Sequence, residues 1–198
     1  NTTGSYNTAI GAAALDANST ASNNAAFGYA ALSTNTTGTR NTAMGAQALD
    51  ANTTANQNTG IGYQSLSSTT TGAGNTALGD ESLFSNTTAS NNVGVGNDAL
   101  YFNTTGSENT AVGAQALEKN TTASNNTAVG YLALKECTLS TENVAIGGLA
   151  LDAITTGHTG EVAVGYQAAS NLSSGVHITV VGYRAGRDLT TANDATFF

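Results

Sequence analysis

A single recurring glycine constrains this chain more than any other feature. Gly11, Gly28, Gly45, Gly62, Gly79, Gly96, Gly113, Gly130 and Gly147 follow one another at a constant spacing of seventeen without slippage, each closing a variant of Asn-Thr-Ala-Ile-Gly. Gly165 falls one place late and Gly182 returns to the regular spacing, so one extra residue enters around His158, Thr159 and Gly160, and a local distortion is expected there. Self-similarity at a short fixed period marks a stacked array, in which one unit cannot bury its apolar face without its neighbours.

Counting the motif asparagine as position one, the first position holds Asn7, Asn24, Asn41, Asn58, Asn75, Asn92, Asn109, Asn126 and Asn143. The fourth holds Ile10, Phe27, Met44, Ile61, Leu78, Val95, Val112, Val129 and Ile146, continued by Val164 and Val181. The ninth holds Leu15, Leu32, Leu49, Leu66, Leu83, Leu100, Leu117, Leu134 and Leu151. The fourth and ninth positions read as two packed apolar columns. Small residues at the third and eighth, such as Ala9 and Ala14, allow neighbouring layers to approach closely. The first-position asparagines, and a second set at Asn18, Asn35 and Asn52, place amides above one another and predict ladders of hydrogen bonds along the stack.

Helical repeats fit poorly, because every unit carries an Asn/Thr/Ser/Gly cluster and a β-branched or Gly-rich motif, leaving no run of good helix formers at 3.6-residue spacing. Short strands and frequent turns fit: an all-β, parallel β-solenoid with one coil per unit. Strands stack at about 4.8 Å, so roughly eleven coils span about 50 Å. Thr-Ala-Val-Gly is the strand, with its large fourth residue on one face and its small third residue on the other. Asn-Thr-Thr-Gly, at Asn35 to Gly38 and Asn103 to Gly106, reads as a turn in which Asn and Gly supply positive φ. Successive turns alternate Ala21, Gly38, Ala55, Gly72, and Tyr29, Tyr63, Tyr131 and Tyr166 fall in alternate units, so a wide coil made of two units stays open beside the narrow coil made of one. The chain divides into a partial coil at 1–6, which reads as an excised start, a regular array at 7–160, and diverged repeats at 161–198 leading into a continuation.

Composition supports order without a conventional core. Charged residues are only 9% and aromatics 6%, with no Pro or Trp, yet apolar residues reach 39% and recur at fixed places, which disfavours disorder. The net charge of -8 includes no basic stripe, which argues against nucleic acid as a partner. Cys137, the only cysteine, can form neither an intrachain disulfide nor a Cys-rich zinc site. No apolar run approaches the roughly 20 residues that span a bilayer, so membrane insertion is not expected. Each coil offers about two large apolar side chains, worth about 1.5 to 3 kcal/mol apiece on burial, against an ordering cost of about 1 to 2 kcal/mol per residue. That imbalance predicts self-association, with an apolar column of each chain packed against its partners.

The segments Asn109-Thr-Ala-Val-Gly-Ala-Gln-Ala-Leu117 and Asn126-Thr-Ala-Val-Gly-Tyr-Leu-Ala-Leu134 resemble the head repeats of YadA-type trimeric autotransporter adhesins, and the related repeat arrays of trimeric phage tail fibres and bacterial surface fibres. The resemblance covers Asn7 to Gly186. It implies a homotrimer of parallel left-handed β-rolls, where general chirality would favour right-handed crossovers. It also implies a structural or adhesive role outside the cell, on a bacterial surface or a phage virion. The expected partners are two further copies of the chain and a host-cell surface glycan or protein receptor. The unit is longer than the usual adhesin-head repeat, and Glu161 and Ile178 replace the motif asparagine near the end, which favours the fibre over the adhesin.

No catalytic, cofactor-binding or metal-ligating residues are assigned, and no enzyme activity or cofactor is expected. His158 and His177 have no Cys, Asp, Glu or Ser at ligand or triad spacing and read as surface or interface residues. Cys137 replaces a turn asparagine and reads as a tolerated substitution. Gly94 to Asn97 lacks the helix and lysine of a phosphate loop, and Asp16, Asp50 and Asp152 lack the paired glycines of calcium-binding repeats. Sequons at Asn18, Asn35, Asn52, Asn86, Asn103 and Asn120 read as turn chemistry. Rows of threonine, including Thr36, Thr53, Thr87 and Thr104, raise the alternative of a flat hydroxyl array that binds ice or a crystalline polysaccharide.

Overall fold

The structure, a computed structural model, describes residues 3–198; residues 1 and 2 of the partial first coil lie outside the described residues. Each coil contributes one short strand: β1 (Thr8–Ile10), β2 (Ala25–Phe27), β3 (Thr42–Met44), β4 (Thr59–Ile61), β5 (Thr76–Leu78), β6 (Val93–Val95), β7 (Thr110–Val112), β8 (Thr127–Val129), β9 (Val144–Ile146) and β10 (Val162–Val164). The last coils add β11 (Ser174–Val176), β12 (Thr179–Val181), β13 (Thr191–Asn193) and β14 (Thr196–Phe197). Strands β1 to β10, then β12 and β14, form one twelve-stranded sheet in chain order, while β11 and β13 pair separately.

Pairing is parallel at a constant offset: Thr110 faces Thr127, Ala111 faces Ala128, and Val112 faces Val129. Each coil is therefore one seventeen-residue unit and not two, and the chain is a parallel β-solenoid of about eleven turns. The extra residue is absorbed between Thr155 and Glu161. Thr155 still accepts from Thr138 at the regular offset, whereas Val162 pairs with Val144 one residue out of step.

Six positions of each coil point inward. The third, eighth and ninth make the apolar half of the interior, as in the buried Ala111, Ala116 and Leu117. The first, twelfth and fifteenth make a polar half, as in the buried Asn109, Asn120 and Ala123. This corrects the reading of two packed apolar columns. Only the ninth-position leucines are buried within the chain. The fourth position faces outward, because alternation along a strand cannot send both the third and the fourth residue inside. The third position is Ala or Gly in all but the last coils, since only a small residue fits beside the leucine in so thin a coil.

The turn assignment also needs correction. Asn35 and Gly38 do not adopt positive φ; the left-handed conformations lie at the fifth, seventh, ninth and seventeenth positions, as in Gly113 (φ 135), Gln115 (φ 56), Leu117 (φ 52) and Glu108 (φ 61). A side chain in the left-handed region costs on the order of 1 kcal/mol. Full burial and a hydrogen bond donated by the Leu117 backbone N–H to the Ala133 carbonyl oxygen (3.0 Å) hold that leucine there. Gly38 is required for a different reason: a β-carbon would collide with the Ala55 carbonyl oxygen of the next coil.

The motif glycine answers to both constraints at once. At Gly113 φ is 135°, and a β-carbon would lie 2.5 Å from the Gly130 carbonyl oxygen in the next layer. Gly113→Ala is expected to lower stability by about 3 kcal/mol or more, combining backbone strain with forced separation of two coils. Denaturant unfolding followed by circular dichroism checks this; an unchanged midpoint would show that the layers are not held at this spacing.

Candidate functional site

The outward face of the twelve-stranded sheet is a candidate interaction surface built by strand alternation alone. Second-position threonines, including Thr42, Thr59, Thr110 and Thr127, flank the fourth-position column along it. Within that column Ile10, Met44, Leu78, Ile146 and Val181 are 38–60% exposed, and Phe27, Ile61, Val95, Val112, Val129 and Val164 are half-buried. The column runs from the first coil to the eleventh with one apolar side chain per layer.

The polar half of the interior is a hydrogen-bond lattice. From Asn7 to Asn126 each first-position amide donates to the carbonyl oxygen fourteen residues on, and wherever the twelfth residue is asparagine its amide donates to that same oxygen. Gly106 O thus accepts Asn92 Nδ2 and Asn103 Nδ2, both at 2.9 Å, and Ala123 O accepts Asn109 and Asn120 at 2.8 and 3.0 Å. The freed amide oxygens face along the axis. Asn92 Oδ1 accepts the backbone N–H of Asn109 (2.9 Å) and Asn109 Oδ1 that of Asn126 (3.0 Å), while Asn103 Oδ1 accepts Asn120 Nδ2 at 2.7 Å.

This lattice places the sequence candidates. The sequon asparagines Asn18, Asn35, Asn52, Asn86, Asn103 and Asn120 are all buried, which keeps a glycosyl donor from reaching them in the folded chain. The threonine rows also work along the axis: Thr36, Thr87 and Thr104 donate their hydroxyl protons to the carbonyls of Thr53, Thr104 and Thr121 at 3.0, 3.1 and 2.9 Å. Thr53 donates to Thr70 O at 3.4 Å. Their protons are committed to the fold.

Cys137 sits in the twelfth-position column, buried, with its thiol donating to Ser140 O at 3.3 Å, where the equivalent amides donate in other coils. Burial pushes its pKa up to about 12, the opposite of thiolate activation. A thiol has only one proton, so Asn120 Oδ1, which an asparagine at 137 would reach, is left without a partner. His158 is buried inside the coil at 3% exposure, contrary to its reading as a surface or interface residue, whereas His177 is exposed and lies 3.3 Å from Asp194 Oδ1.

On the surface, the middle coils depart from the repeat. Glu81, Asp98, Tyr101, Phe102 and Glu118 line a cavity of about 260 Å³. The Phe84 and Tyr101 rings stack beside it with centroids 5.0 Å apart. Burial and the neighbouring Asp80 and Asp98 carboxylates push Glu81 upward; burial and Glu118 do the same to Asp98, with Gln115 opposing. Tyr29, Tyr63, Tyr131, Tyr166 and Tyr183 form an exposed column at the sixth position. Composition in these columns was visible in the sequence, but only the coil geometry brings the seventh and tenth positions of adjacent layers together.

Among the described residues, no three His, Cys, Asp or Glu side chains gather as a metal site, and no helix is long and apolar enough to cross a membrane. No family model, curated protein or solved structure matches the chain.

Cys137→Asn is expected to raise stability by about 1 kcal/mol, because the amide supplies both the proton that Ser140 O uses and one for Asn120 Oδ1. Denaturant midpoints of the two proteins test this. In the same experiment the wild-type thiol should resist alkylation until the chain unfolds.

Proposed function

We propose that this chain is a rod segment of a trimeric extracellular fibre, in which three parallel β-rolls, left-handed as the resemblance to adhesin heads and tail fibres implies, pack side by side. Its role is mechanical and adhesive: it spaces a binding tip from a bacterial surface or virion and contributes weak repeated contacts along its side. It performs no catalysis. The receptor is a glycan or protein of a host-cell surface.

The observation that carries this reading is the fourth-position stripe. Large apolar side chains stand half-buried or exposed at one per coil along the entire sheet face, and each is worth about 1.5 to 3 kcal/mol on full burial. A contiguous apolar surface of this length on a chain with only 9% charged residues favours a covered face. Its period, about 4.8 Å per layer, is met in register by an object with the same layer spacing, and a parallel copy of this chain is such an object.

A second reading draws on the same face. Second-position threonines alternate with fourth-position apolar residues on a regular sheet, a better hydroxyl array for ice or a crystalline polysaccharide than the Thr36 row, whose protons are used internally. That reading requires the face to be free.

Light scattering separates them: the fibre reading expects the mass of three chains, and a folded single chain would sink it and bring thermal hysteresis or cellulose and chitin binding to the front. Val112→Asp should reduce the assembly to single chains while the β-type circular dichroism of each chain persists, because residue 112 points out of the coil and not into it.

A further inference from the structure

The first-position asparagine column ends after Asn143, and the residue that takes its place is titratable. Asn143 Oδ1 accepts the backbone N–H of Glu161 at 3.0 Å, continuing the first-position ladder. Glu161 then occupies the next place in the column, fully buried, with no hydrogen bond of ordinary geometry to either carboxylate oxygen. A carboxylate cannot donate to the carbonyl fourteen residues on, which is Gly175 O. The twelfth-position residue of that coil is Leu172, so the second regular donor to this oxygen is missing as well.

His158 takes over this donor role from the preceding coil, at the point where the extra residue is inserted. Its Nδ1 lies 2.6 Å from Gly175 O and its Nε2 3.2 Å from Ser173 O. A neutral imidazole has one N–H and can donate to only one of these oxygens; the imidazolium donates to both. Glu161 Oε1 is 4.0 Å from His158 Nδ1, with both side chains almost entirely removed from solvent, so the carboxylate is the counter-charge to that cation.

We propose that His158 and Glu161 form a proton-controlled joint between the regular array and the last coils, closed while His158 is protonated and loosened when that proton is lost. Loss of the proton removes one of the two carbonyl contacts and strips Glu161 of its counter-charge in a site closed to solvent. Burial raises the pKa of Glu161, opposed by its own amide, by His158 and His177, and by the His177 amide, so its charge leans on the neighbouring imidazolium. Loss of the imidazolium proton therefore removes a donor and a counter-charge from the joint together. Of the other titratable groups near it, Cys137 stays a thiol, and the exposed His177 ring is directed to Asp194 while also favouring the Glu161 carboxylate. The Ser140 hydroxyl oxygen accepts the His158 backbone N–H at 3.2 Å and is neutral.

The joint is independent of whether the chain works as one copy or three, since both side chains lie inside a single coil stack. Limited proteolysis with mass spectrometry at about pH 5 and about pH 8, the range over which histidine changes charge, reads it directly. Cleavage within 161–198 should rise relative to the regular array on going to the higher pH, by at most about tenfold per pH unit, the limit for one proton released on opening. Glu161→Asn, which restores the residue found at this position in the regular coils, should abolish that dependence by returning an amide donor to Gly175 O. Equal protection at both pH values, or an unchanged dependence in Glu161→Asn, overturns the proposal. Ring-nitrogen NMR of histidine-labelled wild-type protein keeps it testable if the variant fails to fold: both His158 nitrogens should carry protons at the lower pH, and a neutral tautomer there refutes it.

Discussion

The fold depends on a buried carbonyl oxygen that in six of the coils receives two amide protons. The oxygen at the fifteenth position would otherwise be a buried, unpaired acceptor in a coil too thin to admit water. Two asparagines on opposite walls satisfy it, at 2.9 Å each for Gly106 O. Meeting there, they tie the segment after the leucine to the segment before the strand, and so close the coil across its interior. Hydrophobic burial alone would be a weak closure, since the apolar half of each interior holds one leucine and two small residues.

Once the coil is closed in this way, its neighbours are constrained. Most of the amide oxygens left over point along the axis and accept from the next layer, so a one-residue slip would break side-chain and backbone ladders together. This explains how the register persists through nine motif glycines without slippage. It also explains why glycine is needed at the fifth position, where layers drawn together by these bonds leave no room for a β-carbon. Leucine tolerates a left-handed backbone at the ninth position because the same closure fixes its direction into the interior.

The departures from the repeat are informative because the lattice is so regular. Cys137 retains one bond and orphans one oxygen, a minor fault in one layer. Glu161 is a larger fault, since a carboxylate inverts the donor role, and a histidine from another layer makes it good. Surface departures such as Phe84, Tyr101 and Phe102 touch no lattice position and leave the coil unchanged.

Period, strand location and stacking direction were legible in the sequence, because a column of identical residue types at a constant interval has few physical realisations other than layered parallel strands. Sequence alone also pointed to asparagine as a structural element. It could not tell which apolar column lies inside. Ile10 and Leu15 are equally apolar as letters, and the choice between them follows from the strand facing its small residue inward, a matter of coil width. Nor could it place the positive-φ residues, since Leu117 and Gln115 have no intrinsic preference for that region and adopt it only because closure demands it. The burial of His158 was hidden for the same reason: its partners, Gly175 O and Ser173 O, are backbone atoms, and backbone atoms of a neighbouring layer have no signature in the sequence. Local repetition determined the layers; contacts across and between layers decided what each residue in them faces.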